Sequence, residues 1–329
     1  PGQSRIRKVC SVITEALAKG SLSASEAAHL AGKLTFVCSW VSGAVGKALL
    51  KPLYARQHLS PAGAVRLTKS LRVCLEGLLR LLPNMAPLTI PLGVRASAPL
   101  QVLYADAFIT LGPVAKHANR FLRSACALAD LQGSSNGWGA AFFTPLGTRV
   151  CFRGEVPCAV LAQAVTTKAY IFWLEALAQI LALLVVSPLL GQHVLCFCDN
   201  TAAEHALTKG QTADPGLNAL LGGFWTWIAS LGVRLSFLRV ASAANLSDGP
   251  SRGDLDLCNS LGCSQVELDL DPVWHLLLQA QAFDSASQPD LVQELARRLS
   301  AQCAGVGQLG AQSGVVVANE PPGRTSSAT

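Results

Sequence analysis

Four of the eight acidic residues between positions 101 and 250 occupy places where a lone carboxylate is hard to keep. Asp106 interrupts the apolar run Val-Leu-Tyr-Ala-Asp-Ala-Phe-Ile, and Glu175 sits in the most apolar stretch of the chain. Asp199 closes the run Val-Leu-Cys-Phe-Cys-Asp-Asn, and Asp248 stands in Asn-Leu-Ser-Asp-Gly-Pro-Ser-Arg. An ionised carboxylate taken out of water is costly unless a cation lies against it. The basic residue that precedes Glu175 most closely is Lys168, about two helical turns away. Acids gathered without matching bases have the chemistry of a hard divalent-cation site, in which oxygen ligands hold Mg2+ or Mn2+ and the ion offsets their repulsion. Two of the four also have a plainer reading: Asp199 caps a helix beginning at Thr201, and Asp248 caps the last helix of the same region.

Other chemistry-bearing patterns carry less. Gly133-Ser134-Ser135-Asn136-Gly137 spells G-x-S-x-G, with acids and His275 downstream in the order of a serine hydrolase. A nucleophile elbow needs a helix after the serine. The next residues are instead Trp-Gly-Ala-Ala-Phe-Phe-Thr-Pro, which favour a strand, so Ser135 reads as a turn residue. The tripeptide Arg252-Gly253-Asp254 reads as a loop. Eleven cysteines include no C-x-x-C pair and lie mostly inside apolar runs, which argues against zinc and against a disulfide framework. An intracellular protein is expected.

The acids need a scaffold, and the hydrophobic pattern supplies one. Strands are read over 101–109, 137–144 and 149–156, then a long helix over 167–186, a buried strand over 193–198 and a helix from Thr201. Another helix over 217–231 and a strand over 234–240 come next. Three linked strands followed by strand and helix in alternation imply an α/β fold, a mixed five-stranded sheet with helices on both faces. Residues 169–190 are long and apolar enough to suggest a membrane span. Glu175, Gln179 and the terminal Pro188 favour a helix buried in a globular core instead.

Residues 1–98 read as helical. Ser23-x-x-Glu26 is a capping-box pattern opening a helix through Leu30, Leu34 and Val37, which Gly43 and Gly46 end. Ser60-Pro61 opens another helix through Leu67, Leu71, Leu75, Leu78 and Leu82. Four prolines between 83 and 99 mark a joint at which the sheet-bearing segment 99–256 begins. A helical extension over 257–304 and a Gly/Ser/Gln-rich tail over 305–329, read as disordered, complete the chain. Half of the 329 residues are apolar, so the body of the chain is not intrinsically disordered. The net charge of +6 divides into +10 for residues 1–100, +1 for 101–250 and −5 for the rest. The acid-poor basic third is a candidate surface for nucleic-acid phosphates.

These residues together resemble the ribonuclease H domain of retroelement reverse transcriptases, over about 101–255. The resemblance runs through Asp106-Ala107, Gly137-Trp138-Gly139-Ala140, Ile171-x-x-Leu174-Glu175, Asp199-Asn200-Thr201 and Asn245-x-x-Asp248-x-x-Ser251-Arg252. It implies a ribonuclease H-like fold in which Asp106, Glu175, Asp199 and Asp248 hold two Mg2+ or Mn2+ ions and catalyse hydrolysis of the RNA strand of RNA/DNA hybrids. It further implies hybrid contacts at Asn200, Thr201, Lys168, Arg239, Asn245 and Arg252. Thirty residues separate Asp106 from Gly137, where the family has few, so Asp130 is an alternative first acid. The position where many members carry a histidine reads Arg239. Ala27-Ala-His-Leu-Ala-Gly-Lys-Leu-Thr-Phe is similar to the thumb segment that follows the polymerase palm. The polymerase motif Tyr-x-Asp-Asp does not occur, and the chain starts without Met. A fragment lacking the polymerase core is therefore expected, with nucleic acid as partner, no membrane, and an upstream polymerase domain missing. The rival reading is a catalytically inactive retroelement remnant that binds nucleic acid.

Overall fold

The computed structural model describes residues 3–39, 45–59, 65–84, 100–110, 133–163, 170–279 and 288–303. The helical N-terminal segment comprises α1 (Gln3–Lys19), α2 (Ala24–Ser39), α3 (Lys51–Gln57) and α4 (Lys69–Leu81). The capping box forms as the sequence predicts: Ser23 donates its backbone N–H to the Glu26 carboxylate at 2.7 Å, and the Glu26 N–H donates to Ser23 Oγ at 3.2 Å. Helix α4 departs from expectation by opening at Thr68, whose hydroxyl accepts the Leu71 N–H, so Leu67 precedes the helix. The expected start at Ser60-Pro61 and most of the proline-rich joint lie outside the described residues. Ile13, Leu30, Leu34, Leu53, Leu71, Leu75 and Leu78 fill a core common to the four helices.

The rest is built on a mixed sheet of β1 (Gln101–Thr110), β2 (Ser135–Phe143), β3 (Arg149–Gly154), β4 (His193–Cys198), β5 (Arg234–Arg239) and β6 (Ser264–Gln265). The spatial order is β5-β4-β1-β2-β3-β6. Strands β1, β2 and β3 pair antiparallel, whereas β4 runs parallel to β1 and β5 parallel to β4. The sheet thus has six strands where five were expected. The addition is the two-residue β6, which pairs with Val150 and Cys151 of β3. Its polar residues, Ser-Gln, carry no strand periodicity that could be read in advance.

The helices described around the sheet are α5 (Cys158–Gln163), α6 (Tyr170–Val185), α7 (Thr201–Lys209), α8 (Pro215–Leu231), α9 (Asp248–Arg252), α10 (Asp256–Ser260), α11 (Asp271–Gln279) and α12 (Gln288–Cys303). Helix α6 lies within the apolar stretch over 169–190 and is buried almost all round in one cluster with Leu103, Ala105 and Ala107 of β1 and Trp138, Ala140 and Phe142 of β2. A helix apolar on every side has to be enclosed, and no helix among the described residues is long and apolar enough to cross a membrane. Residues of α11 and α12 enter the same cluster. On the opposite face Ala141 and Cys151 meet Cys258 and Cys263 around α10. The N-terminal helices are tied to this body where Asn218 of α8 donates to the Ala48 carbonyl at 3.2 Å and Lys51 donates to the Thr212 carbonyl.

Candidate metal centre

Asp106 lies in β1 opposite Gly139 of β2 and is 4% exposed. The two glycines of Gly137-Trp-Gly139 explain how a polar partner reaches it. A Cβ on Gly139 would stand 2.4 Å from the backbone of Pro250 and Ser251, and one on Gly137 would stand 2.3 Å from the Ser251 carbonyl oxygen. Without those side chains α9 settles directly on the sheet, and the Ser251 hydroxyl donates to Asp106 Oδ2 at 2.9 Å. Burial above all, then the charge of Asp199 and more weakly that of Asp248, pushes the Asp106 carboxyl up to about 6, against the opposing effect of the Ser251 hydrogen bond.

Glu175 projects from α6 and is 5% exposed. Asn200 Nδ2 donates to its Oε1 at 3.2 Å, and the Cys198 thiol lies 3.7 Å from its Oε2. Burial first, then the charges of Asp199 and Asp106, raises the Glu175 carboxyl to about 8. Asp199 follows the last residue of β4 and is partly exposed, so the cluster opens to solvent on its side. The cap reading of Asp199 is not met, because Asn200 caps α7: its side-chain oxygen accepts the N–H groups of Ala202 at 2.9 Å and Ala203 at 3.1 Å. That leaves the Asp199 carboxylate to the cluster. Ligand oxygens of Asp106, Glu175 and Asp199 lie within 4.8 Å of one another.

Asp248, the fourth acid of the expected set, is not among the three that meet. It falls outside this trio and pairs instead with Arg252 one turn along α9, Oδ1 to Nε at 3.0 Å. The guanidinium of Arg252 in turn lies 5.3 Å from the ring centre of Phe108 on β1. Asp248 still stands close enough to raise Asp106. Its cap reading also fails, since α9 is preceded by Ser247 and has no side-chain cap.

The expected nucleic-acid contacts divide similarly. Thr201 and Arg239 are exposed, at the start of α7 and the end of β5, with Arg239 opposite Cys198 in the β4–β5 register. Asn200 is committed to α7 and Glu175. Asn245 is buried, with its side-chain oxygen accepting from the N–H and hydroxyl of Ser247, which shapes the turn before α9 rather than offering a surface contact. Lys168 and the alternative first acid Asp130 lie outside the described residues. Ser135 is not in a turn, as the sequence suggests, but begins strand β2, two residues earlier than the strand was read and without the helix that a nucleophile elbow needs.

Three residues at the centre have no role assigned to them by sequence alone. Ser251 stands there only within a motif, Gln179 only as a polar break in an apolar run, and Cys198 as a small hydrophobe. Two of them carry a signal at helical spacing from a suspect acid, Ser251 three after Asp248 and Gln179 four after Glu175, whereas Cys198 is marked only by its place beside Asp199. The donor set suits a hard cation. It consists of carboxylate oxygens, two of them on buried groups whose proton affinity is raised by burial and like charge, and no basic group is among the causes acting on either. No protein-family model matches the sequence, and neither a curated protein nor a solved structure matches it.

Proposed function

We propose that residues 99–256 form a ribonuclease H-like domain and that the chain is an endonuclease hydrolysing the RNA strand of RNA/DNA hybrids with Mg2+ or Mn2+ held at its carboxylate cluster. The observation that carries this reading is the meeting of Asp106, Glu175 and Asp199 from the first strand, the long helix and the fourth strand, within 4.8 Å of one another. The order β3-β2-β1-β4-β5, antiparallel in its first half and parallel in its second, supports it. Asp106, Glu175 and Asp199 would hold a divalent cation, which when bound would supply Lewis acidity toward a phosphate oxygen and a water.

The chain's own residues prepare the site. Asp106 is oriented by the Ser251 hydroxyl, and Glu175 by the Asn200 amide. Both carry raised proton affinities that a bound cation would overcome by displacing the proton. Asp199 faces solvent, the side from which a duplex would approach. Asp248, partly exposed and paired with Arg252, would join as the fourth acid. The basic helices of residues 1–98 would grip the phosphate backbone, adding affinity without sequence choice.

The test is incubation of the purified chain with a labelled RNA/DNA hybrid and Mg2+, beside Asp199→Asn. Cleavage of the RNA strand by the parent alone, giving 5′-phosphate and 3′-hydroxyl ends, is the expected result. Absence of cleavage by either protein, with binding of the hybrid retained, would replace the enzyme by a nucleic-acid-binding remnant.

A further inference from the structure

Helix α6 carries a second polar side chain whose place is unexplained by packing. Gln179 lies one turn beyond Glu175, on the same helical face, and is fully buried. Its Nε2 donates to the carbonyl of Ala105 in β1 at 3.0 Å and to the carbonyl of Phe197 in β4 at 2.7 Å. Those carbonyls precede Asp106 by one residue and Asp199 by two. The parallel pairing of β1 with β4 ends at Tyr104 and Phe197, so the two strands lose their ladder just before the residues that bear the acids. One amide takes over where the ladder stops.

We propose that Gln179 is a positioning residue for the carboxylate cluster, fastening the strand ends that carry Asp106 and Asp199 to the helix that carries Glu175. The proposal rests on the metal-centre reading above. A primary amide is suited to the task because one nitrogen offers two hydrogens and no charge. Lysine or arginine would supply donors but would set a cation beside the acids. Leucine or methionine would fill the volume yet leave both carbonyls unpaired in a dry interior. Gln179 is also kept at a cost, because its Oε1 has no partner among the described residues, a loss an apolar side chain would not incur. What the amide secures is the relative placement of three elements, to which a metal site is sensitive through its supporting hydrogen bonds.

Mn2+ binding to the whole 329-residue chain, monitored through the loss of the free-ion electron paramagnetic resonance signal, separates positioning from general stability. The variants are Gln179→Met, Gln179→Asn and Leu181→Ala, the last removing a buried α6 side chain that touches no strand carbonyl through a hydrogen bond. All are measured at a temperature where circular dichroism shows them folded. Gln179→Met is expected to lower Mn2+ affinity about tenfold or more. Gln179→Asn, whose shorter amide cannot span both carbonyls, falls between, and Leu181→Ala binds as the parent does despite lower stability. If Gln179→Met does not fold, the comparison of Gln179→Asn with Leu181→Ala decides. Parental affinity in the Gln179 variants, or an equal loss in Leu181→Ala, overturns the positioning role. A parent that binds no Mn2+ refutes the metal centre itself, and the positioning role with it.

Discussion

Replacing Glu175 by Gln should stabilise the metal-free protein in mildly alkaline solution and abolish its stabilisation by metal. In the folded chain burial, then the charges of Asp199 and Asp106, raises the Glu175 carboxyl from 4.5 to about 8. An unfolded chain releases this proton near the ordinary value, while the folded chain keeps it until about pH 8. Between those limits the native state binds more protons, so stability falls as pH rises through the window. The loss is complete once the pH passes the folded value. At ~1.4 kcal/mol for each pH unit that separates the folded value from the unfolded one, the full cost is on the order of 3–5 kcal/mol by pH 9. Glutamine has nearly the same shape and can still accept from Asn200 Nδ2, but it cannot ionise. Urea unfolding in EDTA from pH 5 to pH 9 is the assay. The parent should lose stability from pH 5 to about pH 8 and level off above it, and Glu175→Gln should lose less, leaving it the more stable protein at pH 9. With Mn2+ in place of EDTA the order should reverse, because only the parent gains from binding. A flat parental curve from pH 5 to pH 9, or a variant less stable than the parent at pH 9 in EDTA, would refute the like-charge cluster as described.

Gly139→Ala places a methyl group 2.4 Å from the backbone of Pro250 and Ser251, which cannot move aside as a flexible side chain can. It should cost about 1–3 kcal/mol in urea unfolding, and it should displace α9 so that Ser251 no longer bonds Asp106, seen as changed Ser251 amide and Asp106 carboxyl signals by NMR. Asn200→Ala removes the cap of α7 and a donor to Glu175. The expected stability loss is about 1 kcal/mol, with the Glu175 titration moving above about 8 because the Asn200 hydrogen bond opposes the rise. An unmoved Glu175 carboxyl resonance in that variant would show that the two side chains do not interact in solution.

Much of the scaffold was legible before any coordinates. Alternating and continuous apolar runs placed β1 to β5, with β4 matched residue for residue, because the apolar run that follows His193 suits a strand whose alternate residues are buried in the core. Gln179 and Glu175 marked α6 as a buried rather than a membrane-spanning helix by their cost in lipid. The suspect acids were visible for the same reason, since a carboxylate in an apolar run needs some compensation. The sequence by itself therefore determined strands β1 to β5 and the long helix α6, and marked Asp106, Glu175, Asp199 and Asp248 alike as groups with unmet electrostatic demands.

Which groups answer those demands is a matter of distances through space. Asp199 and Asp248 share the same cap reading in sequence, and only the tertiary structure separates them. Asn200 takes the cap, and Asp199 meets Asp106 and Glu175 across the fold, whereas Asp248 lies outside that trio and pairs with Arg252. The same holds for Ser251 and Gln179, whose partners lie 145 and 74 residues distant along the chain. Hydrophobic periodicity is a local property that one strand or helix expresses alone. A hydrogen bond across such a separation, and the repulsion among three converging carboxylates, exist only after the sheet and α6 have packed together.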